Sequence, residues 1–122
     1  MATITLYEME FYAFHGCFEE EQIIGNYFTV DIEINTNTEL AETKDDLSGT
    51  VNYQEVYNLV KEEMVIKSKL LEHIVRRITD RLLKSFPQIE SCRITLSKLH
   101  PPLGGKINKV SVTLMKNREI EV

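Results

Sequence analysis

The amino-acid pattern predicts an α+β fold, in which an antiparallel four-stranded sheet carries two helices on one face in the order ββααββ. Three observations lead there. Four segments alternate apolar and polar residues with the two-residue period of a half-buried strand, two consecutive segments repeat apolar residues at helical intervals, and that helical pair separates the strand pairs. With 122 residues, 43% hydrophobic and 27% charged, the chain suits a single domain over residues 1–122, because domains commonly run to about 100–150 residues.

The first segment, "TITLYEMEFYAF", mixes alternation at Ile4 and Leu6 with aromatics and reads as a strand. The second, "YFTVDIEINT", sets Phe28, Val30, Ile32 and Ile34 on one face and Thr29, Asp31 and Glu33 on the other. Between them "HGCFEEEQIIGN" holds Gly16 and Gly25 and reads as an irregular connection, long enough to reach into a site. After a polar stretch, "TELAETKDDLSGT", the run "VNYQEVYNLVKEEM" spaces Tyr53, Val56, Tyr57, Val60 and Met64 as one helix. Ser68 is the expected cap of a second helix with the stripe Leu71, Ile74, Val75, Ile78 and Leu82, ending before Pro87. "SCRITLSK" and "KVSVTLMK" are the last strands, separated by "LHPPLGGKINK", whose prolines and glycines mark a shaped loop.

Thr29, Asp31, Glu33, Arg93, Thr95, Ser97, Ser111 and Thr113 make the second sheet face polar, so it is expected to face water. Four strands also leave two open edges, which edge-to-edge assembly of subunits would protect.

Composition excludes several functions. A formal net charge of -5 argues against a nucleic-acid partner, which needs clustered Lys and Arg against phosphates. No apolar run approaches the roughly 18 residues of a membrane span, and "MATITLYEME" lacks signal-peptide features, so the expected location is the cytoplasm. Cys17 and Cys92 are isolated and read as reduced, partly buried thiols. His15, His73 and His100 show no ligand spacing, so no metal is expected.

Three residues invite a chemical role beside a plainer one. Glu72 lies at the border of an apolar helix face near the helix start, where the dipole favours a carboxylate whether or not it binds anything. Lys98 is in phase with Cys92, Ile94 and Leu96, which turns its ammonium toward the helix-covered side at a strand end, either to snorkel there or to transfer protons with a lowered pKa. Tyr53 fits the first turn of its helix as a core ring with a polar handle, or as a catalytic phenol. Glu19, Glu20 and Glu21 need be no more than a solvated acidic run.

Taken together, "FYAFHGCFEEEQIIGNYFTVDIEI", "TVNYQEVYNLVKEEM", "LLEHIVRRITDRL" and "RITLSKLHPPLGGKINKVSVTL" resemble the dihydroneopterin aldolase family of bacterial folate biosynthesis over nearly the whole chain. The resemblance implies the tunnelling fold and a homo-oligomeric ring, an octamer of two stacked tetramers with barrel strands inside and helices outside. It implies retro-aldol cleavage of 7,8-dihydroneopterin without cofactor or metal, the substrate's own C=N at N5 serving as electron sink. It assigns Lys98, Tyr53 and Glu21 to catalysis, Glu72 to the pterin's 2-amino group and ring N–H, and Thr50, Val51 and Leu71 to backbone or wall contacts. Tyr53 would come from the neighbouring subunit. Related activities in the same frame are epimerisation at C2′, including on a triphosphate for which Lys106 and Lys109 are available, and noncatalytic pterin binding.

Overall fold

In the computed structural model, which describes residues 1–119, β1 (Ala2–Ala13), β2 (Asn26–Thr36), β3 (Ile89–Leu99) and β4 (Lys109–Asn117) form one antiparallel sheet in sequence order. Two long helices, α3 (Tyr53–Val65) and α4 (Leu71–Ser85), cover one face as the pattern predicts. The alternation of β2 is carried into space without change: Phe28, Val30, Ile32 and Ile34 are fully buried. Burying such side chains contributes on the order of 1.5–3 kcal/mol each. They pack with Ile94 and Leu96 of β3 against Val56, Val60 and Met64 of α3 and Ile74, Ile78 and Leu82 of α4.

The mixed pattern of the first strand has a backbone cause. Its register shifts between Leu6 and Met9, where Glu8 adopts a φ of 49° and donates its N–H to Asp31 Oδ1 at 2.8 Å. That bulge resets the phase, so Ile4 and Leu6 and then Met9 and Ala13 all turn to the helix side.

Several expectations change. The connection between β1 and β2 contains a regular turn of helix, α1 (Glu19–Ile24), and the polar stretch after β2 contains α2 (Glu39–Lys44) and a 3₁₀ turn (Leu47–Gly49), helices too short for periodicity to reveal. Ser68 does not cap α4. The helix starts at Leu71 behind Leu70, without a side-chain cap, and buried Ser68 donates its hydroxyl to the Ile66 carbonyl while accepting from Arg77. Tyr53 is 64% exposed rather than core, and Leu59 takes the stripe position instead. On the polar sheet face Ser97 is fully buried, its hydroxyl 2.7 Å from that of Ser111. The two thiols also differ, Cys17 being exposed and Cys92 buried.

Candidate active site

Lys98 lies one residue before the end of β3, in phase with the helix-covered face, and shares a cleft with the first turn of α4. Its side chain is only 13% exposed and makes an ion pair with Glu21, which is 18% exposed. Opposed influences act on the ammonium: burial pushes its pKa below the usual lysine value, Cys17 acts against that shift, and the touching Glu21 carboxylate favours the charged form.

Glu21 reaches Lys98 because of its own short helix and a glycine. In α1 its carboxylate turns back to accept the Phe18 N–H at 3.4 Å, satisfying a donor at the helix start. It lies against Gly16 so closely that a Cβ there would sit 2.6 Å from Glu21 Cβ. The Gly16 carbonyl accepts the Gln22 side-chain amide at 2.8 Å, which fixes the turn from the other side.

Lys98 and Glu21 line a cleft of about 420 Å³. Leu71 and Glu72 of the first turn of α4 line it as well, as do Pro101, Leu103 and Val110 from the β3–β4 loop and β4. The cleft is mostly apolar, with a few ionisable groups in its lining, a combination suited to a flat heterocycle with polar edges. A wider depression of about 710 Å³ over α2 contains one ionisable residue, Glu39, and no cation, and has no comparable chemistry.

Of the residues singled out from sequence, the structure brings Lys98, Glu21, Glu72 and Leu71 together and leaves Thr50, Val51 and Tyr53 elsewhere in the chain. Val51 is buried in the core, Thr50 accepts the Gln88 amide through its carbonyl at 3.4 Å, and Tyr53 lines a separate groove with Leu6, Tyr7, Met9 and Tyr57 beside the β1 edge. Cys17 and His15 had no role assigned from sequence. Cys17 lines the cleft with its thiol 3.5 Å from the Lys69 carbonyl, and His15, buried, precedes the lining residue Gly16; Glu20, the neighbour of Glu21 in the acidic run and its possible substitute, also lines the cleft. No pattern in the sequence singled out His15, because scattered histidines suggest ligation or nothing when read by spacing alone. Among the described residues no three His, Cys, Asp or Glu side chains are grouped to hold a metal ion, and no helix is long and apolar enough to cross a membrane.

A helix-backed sheet with a partly buried lysine–carboxylate pair in a cleft beside a second carboxylate has groups suited to proton transfer. The family model for dihydroneopterin aldolase matches residues 4–115, and the chain belongs to that family. It is 34% identical to a dihydroneopterin aldolase of Streptococcus pyogenes serotype M6 over 97% of this chain and all of the relative, and 32% identical to that of Bacillus subtilis over 90% and 92%. The crystal structure of Escherichia coli dihydroneopterin aldolase in complex with neopterin shares the fold at a TM-score of 0.88 and 21% identity, covering 96% of this chain and 100% of that one.

Proposed function

We propose that this protein cleaves 7,8-dihydroneopterin by retro-aldol reaction to 6-hydroxymethyl-7,8-dihydropterin and glycolaldehyde, a step of folate biosynthesis in the bacterial cytoplasm. The carbon–carbon lyase class follows from the family. The observation that carries the assignment of roles is that Glu72 opens on the same cleft as the Lys98–Glu21 pair. A carboxylate accepting two parallel N–H bonds suits the amino and ring N–H edge of a pterin. Neopterin in the related E. coli complex carries such an edge.

With the pterin edge on Glu72 and its ring against Leu71, the side chain at C6 reaches toward Lys98. As the free amine Lys98 takes the 2′-hydroxyl proton; the C1′–C2′ bond breaks, its electron pair moves into the ring, and the Lys98 ammonium passes that proton on to N5. Tyr53 then protonates the enamine carbon while N5 releases its proton to the phenolate so formed, which restores the ring C=N and completes the hydroxymethyl product. Lowered by burial, the lysine pKa favours this base role, and Glu21 holds the ammonium formed during turnover. Because Tyr53 lies outside the cleft of its own chain, a neighbouring subunit supplies it, with Thr50, in a ring whose full form is an octamer of two tetramers, whereas Val51, buried in the core, has no surface to offer the pterin.

The test is anaerobic incubation with 7,8-dihydroneopterin and chromatographic separation of products. Release of both products by the wild type, falling about 10²–10⁴-fold in Lys98→Ala, is expected. Unchanged turnover in Lys98→Ala refutes the lysine's role, and inversion at C2′ without cleavage refutes the aldolase reading.

A further inference from the structure

His15 has no part in the chemistry above, yet it is 1% exposed and immediately precedes Gly16, which lines the cleft. Its Nδ1 accepts the Ser68 N–H at 3.1 Å, and the next residue returns the bond, Gly16 N–H donating to the Ser68 carbonyl at 3.0 Å. An Nδ1 that accepts a hydrogen bond carries no proton, so the neutral ring bears its hydrogen on Nε2. Among the described residues Nε2 makes no full hydrogen bond, although the Met64 carbonyl is close enough to favour a proton there. Burial, then the nearby positive charges of Arg77 and Lys98, hold its pKa down at about 4, which keeps the acceptor available at neutral pH.

The two bonds join the halves of the cleft. On one side Gly16 gives Glu21 the space in which it meets Lys98; on the other, Ser68 is four residues before Glu72. Ser68 is itself anchored, since Arg77, paired with buried Glu63 at 2.6 Å, donates to its hydroxyl at 2.9 Å. An edge-to-face contact with Phe28, ring centroids 5.2 Å apart, fixes the imidazole in the core.

We propose that His15 is a positioning residue, whose imidazole, with Gly16, ties the segment carrying Glu21 to the segment leading into Glu72 and so sets the distance between substrate anchor and acid–base pair. This rests on the function proposed above. With the tie cut, α4 keeps its own core anchors and Glu72 still meets the pterin edge, whereas Glu21 drifts from Lys98. Chemistry is lost before ring binding.

His15→Leu removes the acceptor while filling the space, His15→Asn keeps an acceptor, and Gly16→Ala pushes Glu21 away without touching His15. Three quantities are measured on oligomer shown to be folded by circular dichroism: kcat for dihydroneopterin, Kd for 6-methylpterin, and the acetylation rate of Lys98 by mass spectrometry. In His15→Leu and Gly16→Ala, kcat is expected to fall about 10–100-fold with Kd within about threefold, while Lys98 acetylates several-fold faster; His15→Asn recovers most of the kcat. Wild-type kcat in His15→Leu, a parallel loss of kcat and pterin binding, or no rescue by His15→Asn overturns the proposal. If the wild type cleaves no dihydroneopterin, the functional reading fails, and the tie is judged by Lys98 acetylation: faster labelling in both disrupting variants supports it, and unchanged labelling overturns it.

Discussion

Glu21→Gln removes one charge from the cleft and little volume, so its effect on the pH profile reports what the carboxylate does to Lys98. The working base is the free amine, and kcat/KM should rise with pH as the ammonium loses its proton. In the native cleft the carboxylate stabilises that ammonium against the burial that destabilises it. Two unit charges 4 Å apart at an effective dielectric constant near 20 attract by about 4 kcal/mol. Side-chain exposures of 13% and 18% admit some water, and a glutamine still accepts a hydrogen bond, so less than this is lost. A neighbouring opposite charge typically moves a pKa by about 1–3 units, and the expected displacement of the acidic limb is roughly one to two pH units. The sign follows from which form is stabilised: without the carboxylate, burial acts unopposed, deprotonation occurs at lower pH, and the limb moves to the acid side. Glycolaldehyde release measured from roughly pH 5 to 10 locates it. A limb that stays in place, or moves to higher pH, refutes the base assignment of Lys98 or its pairing with Glu21.

Glu72→Gln should weaken pterin binding about 10–100-fold, the value of a charge-assisted hydrogen bond, while kcat at saturation changes less; fluorescence titration against steady-state kinetics checks the split. Lys98→Ala and Tyr53→Phe, each impaired alone, should regain about a quarter of wild-type activity when unfolded together in equal amounts and reassembled, because one site in four then draws both intact residues from adjacent subunits. Recovery no better than the sum of the separate variants counts against a shared site. Stability should decline as pH falls from 6.5 to 4, by up to roughly 3 kcal/mol, because the unfolded chain protonates His15 in that window and the folded one does not; below pH 4 both forms carry the proton and the loss ends. Urea unfolding at several pH values, with His15→Asn showing a shallower decline, checks it.

The fold was legible wherever one face of an element is fully buried. β2 alternates throughout, and β3 from Cys92 to Leu96, because the helices cover one face of each, and α4 shows its stripe because five of its side chains are buried. It was obscured where backbone geometry intervenes. The Glu8 bulge breaks the phase of β1, and α1 and α2 bury none of their residues, so no apolar period marks them. The strand phase of Lys98 fixed its direction and hence its partial desolvation, whereas the phase of Glu72 in α4 fixed only its place at the border. Glu21 could not be distinguished from Glu19 and Glu20 by pattern. What selects it is contact, since it is the residue of the run that lies over Gly16 and meets Lys98.

If Tyr53 serves a neighbouring cleft as proposed, its position constrains how copies could pair. Its groove adjoins β1, one edge of the sheet, while Val110 in the wall of the cleft belongs to β4, the other edge. A two-fold pairing of β1 with β1 would bring one Tyr53 groove toward another and leave both Lys98 clefts unchanged. A pairing of β4 with β4 would bring cleft toward cleft. Only β1 of one copy against β4 of the next delivers Tyr53 to a neighbouring cleft. Such a contact is head to tail, and it must either close into a ring or grow without limit. Each closed ring would leave no free sheet edge, with the Ser/Thr face lining its interior and the helices outside, so the completion of the active site and the protection of both edges would be satisfied by one and the same contact.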